Sequence, residues 1–261
     1  MGAGGAHQCR AMDEAESARR EEAVAQCVPA VAALVRTMRS CNCENSELEA
    51  RFGELKACRF VSGVKREQME TIIEELLQFA AKSRHASAVD TAWVEHQDFF
   101  FAHGDKQMRT RVRYDSANMQ MSSETIEKRP VSAVTCHSAR GAQSHSHAIR
   151  VALKVEKPAT KVAPIVNPTF VRIKQTRRFL VGAGAWAYDF SLTWSGATKT
   201  EAEESQRHCD PAFEIECELV KAEQYLRDHD DERVARSILL KMIDLLAIVE
   251  PIDDLLYTAL R

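Results

Sequence analysis

The sequence predicts a β-rich α+β fold, an antiparallel sheet or barrel of about nine strands with helices near both ends of the chain. From Thr91 to Leu219, short runs rich in Val, Ile, Thr and aromatic residues alternate with polar turns, without crossover helices between them. Several of these runs carry charged side chains at every second position, which is the period of a β-strand. Outside this region, apolar residues recur at helical spacing.

Three segments show that helical spacing. Apolar residues recur at three- and four-residue intervals from Asp13 to about Arg39, and Pro29 should bend or divide this helix. A second helix is predicted from Lys65 to about Lys82. A last helix runs from about Asp231 to Val249, and Pro251 should end it because proline disfavours a helical backbone at the residue before it.

The strands are predicted from their alternation and composition. In chain order they are Glu47–Gly53, Trp93–Ala102, Gln107–Tyr114, Met119–Lys128, Val131–Cys136, Ala148–Glu156, Thr169–Val181, Ala185–Trp194 and Ala212–Leu219. GDK at 104–106 and GAG at 182–184 are typical of hairpin turns. Two longer loops are predicted at Ser138–His147 and Thr198–Asp210, and the acidic, polar composition of the second favours a mobile surface loop.

The composition indicates a soluble globular protein. The chain has 261 residues, 45% hydrophobic and 28% charged, with a net charge of −3, so any basic site must be local. We expect 1–12 to be disordered, 13–250 to form a single domain and 251–261 to form a tail. The N-terminal segment lacks the apolar run of a signal peptide, and the eight cysteines show no regular framework, which favours reduced thiols in an intracellular compartment. No apolar stretch reaches the roughly 18 residues that suggest a membrane span.

Whole strands in this sequence are acidic or basic on one face. The motif AFEIECEL at 212–219 puts carboxylates at every second position, and SELEARF at 46–52 does so at 47 and 49. Basic faces lie at 109, 111 and 113 and at 172, 174 and 178. The charged face of an antiparallel sheet commonly points to water, but such a face usually mixes both signs. The separation of signs favours a closed sheet with charged faces inward and apolar faces outward, covered by the terminal helices and loops.

An interior of this kind suits a metal ion and a polyphosphate. Five carboxylates on two strands fit one or two hard divalent cations, since Mg²⁺ takes oxygen ligands. Arginines and lysines on facing strands fit phosphate oxygens, which arginine can bind in a bidentate fork. Cations on both sides of a triphosphate stabilise the transition state of phosphoryl transfer. The pattern therefore favours metal-assisted phosphoryl transfer.

Two motifs resemble those of a known family. SELEARFG at 46–53 and FEIECEL at 213–219 are similar to the two glutamate motifs of the metal-dependent, tunnel-fold RNA 5′-triphosphatases of mRNA capping, found in fungi, protists and large DNA viruses. The order of the motifs agrees too, and the resemblance covers roughly residues 44–245. It implies a closed, eight-stranded antiparallel barrel, the triphosphate tunnel, and hydrolysis of the γ-phosphate of 5′-triphosphate RNA to a 5′-diphosphate end.

The resemblance also implies a cofactor and partners. The cofactor would be Mg²⁺ or Mn²⁺, and free nucleoside triphosphates would be further substrates with Mn²⁺. The partners would be the 5′-triphosphate RNA end, a guanylyltransferase subunit and a second copy of the chain, with no membrane. The protein would be nuclear, or cytoplasmic if it is viral.

Carried over motif by motif, the resemblance implies a role for each site residue. The metal ligands would be Glu47, Glu49, Glu214, Glu216 and Glu218. The phosphate-binding residues would be Arg111 and Arg113 in RVRYD, Lys128 in EKR, Arg172 and Lys174 in RIKQTRRF, and Arg178. Glu156, at the end of the strand IRVALKVEKP, would orient the attacking water, and Asp189 in YDFS would support the metal or base indirectly. The catalytic set would be Glu156, Arg111, Lys174, Arg172, Lys128 and Asp189.

The sequence departs from the family pattern at two positions. The arginine expected two residues after Lys174 is Thr176, so Arg177 or Arg178 must take its place or the contact is absent. The arginine often found two residues before Asp189 is Ala187. Both departures affect the basic wall and leave the metal ligands in place.

Two other functions fit parts of the pattern. ELEAR at 47–51 is one conservative change from the ExExK signature of the wider tunnel family, whose members act on thiamine triphosphate, inorganic triphosphate or ATP as a cyclase substrate. The third carboxylate of FEIECEL argues against that alternative. A non-catalytic barrel or sandwich that binds a charged partner is the alternative from a different class. The sequence contains no GxxxxGK[ST] and no GxSxG, so the common nucleotide-loop and nucleophile-elbow signals are missing.

Histidines and tryptophans add two smaller predictions. Cys136, His137, His145 and His147 lie close together in the sequence, as do Cys41 and Cys43, but neither set has the paired spacing of a zinc site, so zinc is disfavoured. Trp93, Trp186 and Trp194 lie in predicted strands and are expected in the core or under the barrel cover rather than as base-stacking platforms.

Overall fold

The computed structural model of the chain describes residues 14–41, 45–56, 59–82, 92–103, 106–115, 120–138, 147–159, 167–249 and 257–260. The helices are α1 (Glu14–Ala25), α2 (Val28–Ser40), α3 (Arg66–Lys82), α4 (Lys199–His208), α5 (Ala222–Asp228) and α6 (Asp231–Val249). The strands are β1 (Ser46–Lys56), β2 (Arg59–Ser62), β3 (Val94–His103), β4 (Lys106–Asp115), β5 (Gln120–Ser138), β6 (His147–Pro158), β7 (Phe170–Val181), β8 (Trp186–Gly196), β9 (Ala212–Leu219) and β10 (Tyr257–Leu260).

Eight of these strands close into a barrel in which every neighbouring pair is antiparallel. The order around the barrel is β5, β4, β3, β7, β8, β9, β1 and β6, and β6 pairs again with β5. The short strand β2 pairs with the end of β1, and β10, within the segment expected as a tail, pairs with β5. The closed eight-stranded antiparallel barrel is thereby confirmed, and so are the helices near both ends of the chain.

One strand is longer than predicted. The runs Met119–Lys128 and Val131–Cys136 belong to a single strand, β5, whose register against β6 shifts between Pro130 and Ser132. Proline has no N–H to donate to a sheet and is tolerated at such irregularities, which explains how it lies inside the strand. The predicted turn at 182–184 is confirmed, because Gly182, Ala183 and Gly184 have φ values of 58°, 54° and 76° and join β7 to β8. Residues 104–105 of the other predicted turn lie outside the described residues.

The predicted helices are confirmed, and one predicted loop is wrong. Pro29 lies in the first turn of α2, where its missing N–H leaves no intrahelical bond unmade, so the first segment divides into α1 and α2. The segment Thr198–Asp210, predicted as a mobile loop, forms α4. Thr198 accepts a hydrogen bond from the Glu201 N–H, and the Glu201 carboxylate accepts one from the Ala197 N–H. These two bonds satisfy N–H groups at the helix start and outweigh the polar composition.

The apolar core lies outside the barrel. Helices α2, α3 and α6 pack over the outer faces of the strands, where Leu48, Val151, Ile215 and Cys217 are fully buried, and α1 packs against α2 and α6. A smaller cluster around Phe99 lies on the outer face of β3 and β7, where α4 also packs. Alternation sends the neighbours of these residues inward, so the predicted inversion, with apolar side chains outside and charges inside, is confirmed.

Two further predictions can be compared with the fold. Trp186 and Trp194 are buried as expected, whereas Trp93 is 40% exposed, so the prediction is wrong for that residue. The cysteines whose structure is described (Cys27, Cys41, Cys136, Cys209 and Cys217) are free thiols. Over the described ranges, the helices are too short or too polar to cross a membrane.

Candidate active site

The barrel encloses a strongly charged chamber of about 730 Å³. Among the described residues, nine basic side chains line it: Arg51, Arg109, Arg111, Arg113, Lys128, Lys154, Arg172, Lys174 and Arg178. Seven carboxylates line it as well: Glu47, Asp98, Glu124, Glu156, Asp189, Glu216 and Glu218. A chamber with both signs in similar number can accept a polyanion together with cations without a large net charge in either direction.

The glutamates of the two sequence motifs lie side by side. Strand β1 pairs with β9 so that Glu49 is opposite Glu218 and Arg51 is opposite Glu216. Glu47, Glu216 and Glu218 reach the chamber, whereas Glu49 is buried beneath it and also borders a smaller adjoining cavity. The structure therefore brings the predicted metal ligands of both motifs onto one wall, which we call the acidic wall (Glu47, Glu49, Glu214, Glu216 and Glu218).

Basic side chains oppose much of this negative charge. Arg51 lies 2.9 Å from Glu49 through Nε and 3.1 Å from Glu216 Oε1 through Nη2. Lys154 also contacts Glu49. The Lys174 ammonium lies 3.2 Å from Glu214 Oε2 and 3.6 Å from Glu216 Oε1. Carboxylates on one strand face repel one another, and these pairs offset part of that repulsion, since each of the three cations neutralises at least one buried carboxylate.

Two carboxylates of the acidic wall differ in how far nearby cations offset their charge. Glu216 Oε1 accepts no hydrogen bond within the described residues; burial alone would raise the pKa of Glu216, but the charges of Arg51 and Lys174 lower it far below its ordinary value. Burial, followed by the negative charge of Glu47, raises the pKa of Glu218 to about 7, although Arg178 acts in the opposite direction. Oxygen ligands that lack donors, and carboxylates that repel one another, are the features that a hard divalent cation would relieve.

The acidic wall has the donor atoms for a metal ion but is not folded around one. Within the described ranges, no three His, Cys, Asp or Glu side chains converge on a common point as a metal group would require. Arg51, Lys154 and Lys174 hold the carboxylates instead. The chemistry of the donors fits Mg²⁺ or Mn²⁺, and the five glutamates are the residues that would hold it.

Glu156 lies among basic residues on the neighbouring part of the wall. Its carboxylate contacts Lys128 and is 3.5 Å from Arg109 Nη2. Burial alone would raise the pKa of Glu156, but a hydrogen bond with Glu47 and the charges of Lys128 and Arg109 lower it below its ordinary value. Lys128 also reaches Glu47 at 3.1 Å, and these carboxylates raise the pKa of Lys128 despite burial. Glu156 is thus held as an ionised acceptor at the edge of the acidic wall.

Opposite the acidic wall, the basic strands β4 and β7 face the chamber. Arg111 donates to both oxygens of Asp98, at 2.6 and 2.8 Å, so its guanidinium plane is held in one orientation. Burial alone would raise the pKa of Asp98, but the hydrogen bonds and charge of Arg111 lower it to about 2. Arg113 and Arg172 also line the chamber, so the predicted basic residues of both strands point to the same space.

Arg178 faces the chamber, whereas Arg177 lies on the opposite face of β7. Arg178 lines the chamber, donates to both oxygens of Asp189, and reaches Glu218 at 2.8 Å. Arg177, one residue earlier, instead lies over the Phe179 ring at 5.4 Å, next to the outer core. The position that lacks its usual arginine, Ala187, is opposite Glu218 in the β8–β9 pair. Arg178 therefore supplies positive charge at the carboxylate that faces Ala187.

The two ends of the chamber are different. At the end where β1 begins and β9 ends, a second cavity of about 570 Å³ adjoins the chamber. Among the described residues, five glutamates line this cavity, against only two basic side chains, Lys221 and Arg227: Glu47, Glu124, Glu156, Glu218 and Glu223. We call this end the acidic mouth. At the opposite end, β7 begins with Phe170, and Phe100 of β3 faces it across the β3–β7 pair.

Sequence reasoning assigned most of the chamber but missed several of its charges. All predicted site residues lie in the chamber lining except Glu49 and Glu214, which are buried just behind it. The charged lining residues missed as site members are Arg51, Asp98, Arg109, Glu124 and Lys154. Alternation would have found Arg51 and Lys154, since each lies two residues from a predicted site glutamate on the same strand face. Asp98 has no such signal, because its role depends on the pairing of β3 with β4.

Only part of the cluster formed by Cys136, His137, His145 and His147 lies within the described residues. His147 Nε2 lies 3.1 Å from the Gln68 side-chain amide nitrogen. His145 and Cys43 lie outside the described residues. Zinc remains disfavoured on the spacing of the sequence.

The similarity to known proteins is one of fold. No protein-family model matches the chain, and no curated protein matches it in sequence. Two structures of the S. pombe Pct1 RNA triphosphatase, one in complex with the Spt5 CTD, align at a TM-score of 0.62 with 16% and 15% identity, covering 85% of this chain and 91% of theirs. The RNA triphosphatase domain of the trifunctional mimivirus mRNA capping enzyme aligns at a TM-score of 0.51 with 12% identity, covering 84% of this chain and 96% of that one. This chain has the fold of those RNA triphosphatases.

Proposed function

We propose that this protein is a metal-dependent RNA 5′-triphosphatase, which hydrolyses the γ-phosphate of 5′-triphosphate RNA to a 5′-diphosphate end in the first step of mRNA cap formation. The observation that carries the proposal is the pairing of the two glutamate motifs on one wall of a closed barrel, with arginines and lysines facing them across the chamber. The shared fold with two RNA triphosphatases supports it.

The acidic wall is the proposed metal site. Glu47, Glu49, Glu214, Glu216 and Glu218 would hold Mg²⁺ or Mn²⁺. When bound, the ion would supply charge stabilisation at the phosphoryl oxygens. The raised pKa of Glu218 supports this assignment, because burial and the negative charge of Glu47 outweigh the positive charge that Arg178 supplies there.

The basic residues would bind and orient the triphosphate. Arg111 is preorganised by its two hydrogen bonds to Asp98, and a fixed guanidinium loses little freedom when it binds a phosphate oxygen. Lys174, on the basic strand β7, reaches the acidic wall and lies within 3.6 Å of Glu214 and Glu216. A γ-phosphate held by Lys174 would therefore lie next to the carboxylates.

Glu156 would orient the attacking water. Its lowered pKa keeps it ionised at neutral pH, so it can accept a hydrogen bond from water. Lys128 and Arg109 hold its carboxylate in place. Water would attack in line without a covalent enzyme intermediate, as phosphoryl transfer requires mainly positioning and charge stabilisation. Asp189 would act indirectly, by holding Arg178.

The same proposal names partners and a location. A guanylyltransferase subunit would receive the diphosphate end, and a second copy of the chain is a further proposed partner. The same role implies a nuclear location, or a cytoplasmic one if the chain is viral. Hydrolysis of free nucleoside triphosphates with Mn²⁺ is the expected side activity.

The test is release of γ-phosphate from triphosphate-ended RNA, with Mg²⁺, with Mn²⁺ and with chelator, for the wild type and Glu216→Ala. We expect metal-stimulated release by the wild type, and loss of release with an unchanged circular dichroism spectrum in the variant. Absence of release at saturating metal would reject the enzyme. A strong preference for inorganic triphosphate would favour the wider tunnel family. A Glu216→Ala variant with unchanged metal affinity would favour a non-catalytic binding barrel.

A further inference from the structure

Two phenylalanines face the chamber at the end opposite the acidic mouth. The rings of Phe100 and Phe170 have centroids 5.9 Å apart and a tilt of 47°. The Arg172 guanidinium lies over both, 5.6 Å from the first centroid and 5.5 Å from the second. We call these three residues the aromatic mouth. They form a continuous surface of two rings and a cationic plane.

This surface is unusual for the chamber. Among the described residues that line it, Phe100 and Phe170 are the only Phe, Tyr or Trp side chains, and apart from Val94 the others are charged or polar. Both rings are partly exposed, whereas the phenylalanines of the outer core, such as Phe179 and Phe190, are fully buried. Packing of the barrel therefore does not account for them.

Arg172 is also placed differently from its neighbours. Within the described residues it makes no salt bridge of the kind that holds Arg111 to Asp98, although Asp98 is its register partner on β3. Its guanidinium lies on the two rings instead. A guanidinium on an aromatic face retains its outward N–H donors, and such stacked planes are common where proteins bind nucleotides.

The position of the aromatic mouth matches the direction of a bound triphosphate end. Phe170 is four residues before Lys174 on β7, so the two lie roughly 13 Å apart along the strand on the same face. With the γ-phosphate at Lys174 and the acidic wall, the nucleoside must extend toward one end of the chamber. Five glutamates at the acidic mouth would repel a polyanion there. The nucleoside would therefore extend toward the aromatic mouth.

We propose that Phe100, Phe170 and Arg172 form a nucleoside subsite, in which the base of the 5′-terminal nucleotide stacks on the phenylalanine rings. The inference rests on the proposed function and specifies the substrate within that same site. Stacking on aromatic rings tolerates every base, so the subsite would distinguish RNA or nucleoside triphosphates from inorganic triphosphate without reading sequence. Gln107, also in the lining, offers a neutral donor and acceptor beside it.

The test compares how the loss of the rings changes kcat/KM for different substrates, rather than the overall rate. We would measure kcat/KM for triphosphate-ended RNA, ATP and inorganic triphosphate in the full chain, using wild type and the double variant Phe100→Leu/Phe170→Leu. Leucine keeps the apolar volume but removes the stacking face. The ratio of RNA to inorganic triphosphate should fall about tenfold, within the range reported when stacking partners are removed. Phe79→Leu, a change at a 57% exposed phenylalanine of α3, is the matched control and should leave the ratio unchanged.

The outcomes separate this inference from the proposed function. If the wild type releases phosphate and the double variant keeps the same ratio, the subsite is wrong and the function stands. If kcat/KM of the double variant falls equally for all three substrates, the rings only hold Arg172 for phosphate binding, and the subsite is again wrong. Lys174→Ala should lower kcat/KM for all three substrates together and leave the ratio of RNA to inorganic triphosphate unchanged.

A binding measurement tests the inference even if no hydrolysis is detected or the double variant does not fold. With chelator present, the fluorescence of 2-aminopurine riboside triphosphate should be quenched when it binds the wild-type protein, because the base stacks. Inorganic triphosphate should reverse the quenching by competition. Binding without quenching overturns the inference even if no hydrolysis is detected and even if the double variant does not fold.

Discussion

The two faces of β9 differ in chemistry and in what they contribute to the protein. Its inner face carries Glu214, Glu216 and Glu218, which belong to the acidic wall, while its outer face carries Ile215 and Cys217, fully buried under the helical layer. The barrel interior is thus a charged chamber rather than a hydrophobic core. Hydrophobic burial that stabilises the fold occurs one residue away from the charges that line the chamber. Neighbouring residues can therefore be used to separate stability from activity.

The largest expected effect is on the inner face. Glu216→Ala should lower phosphate release about a thousandfold, the upper range for loss of one group that stabilises transition-state charge. The spectrum of the folded protein should persist, because Arg51 retains Glu49 and Lys174 retains Glu214 as partners. Phosphate release and circular dichroism measure the two effects. Full activity in the variant would contradict the role of the inner face.

The adjacent outer residue should give the opposite result. Ile215→Ala removes a fully buried side chain from the outer core and should lower the free energy of unfolding by about 3 kcal/mol. Phosphate release per folded molecule should stay at the wild-type value. Urea unfolding and titration of active protein measure these quantities, and Ile215→Val, with an expected loss of about 1 kcal/mol, is the conservative control. A specific loss of activity would show that the two faces are not independent.

His96, a buried residue of the inner face, should lower the stability of the protein as the pH falls. Burial, and then the charge of Arg111, lower the pKa of His96 to about 3. The folded protein then stays neutral at His96 while the unfolded chain takes up a proton below about pH 6.5, so stability should be lost as the pH falls from 6.5 toward 3. Between pH 7.5 and pH 5 this amounts to about 2 kcal/mol.

The matched variant for this effect is His96→Gln. Urea unfolding should show that it loses about 2 kcal/mol less than the wild type over that pH interval. Asp98, the nearest carboxylate to His96, has a pKa of about 2 in the folded protein, so its contribution is lost mainly below pH 5. Equal losses in both proteins would mean that His96 is protonated in the folded state.

The smallest expected effect is the difference between substitutions at two neighbouring arginines on opposite faces of β7. Arg178→Ala removes the partner of Asp189 and Glu218 and should lower kcat about tenfold, as loss of a supporting residue commonly does at metal sites. Arg177→Ala, beside the outer Phe179 ring, should change kcat less than about twofold. Steady-state phosphate release measures both. If Arg177→Ala lowers kcat more than Arg178→Ala does, the choice of Arg178 as the substitute for the family arginine is wrong.

Local patterns in the sequence predicted much of this molecule. Alternation placed Glu214, Glu216 and Glu218 on one strand face, because successive side chains point in opposite directions whatever the strand packs against. Helical spacing and Pro29 predicted α1 and α2 for a similarly local reason. The error at Thr198–Asp210 was avoidable, since Thr198 and Glu201 form the Thr-x-x-Glu signature of a helix start.

The sequence by itself determined which side chains share a face, whereas the tertiary structure decided which faces meet. The pairing of Arg51 with Glu216, the clamp of Asp98 on Arg111, and the contact of Phe100 with Phe170 all join residues on different strands. Such contacts depend on strand order and register, which are set by the closure of the whole barrel and leave no local periodic signal. Alternation therefore identified the acidic wall as a set of residues, and barrel closure placed it inside, opposite the arginines.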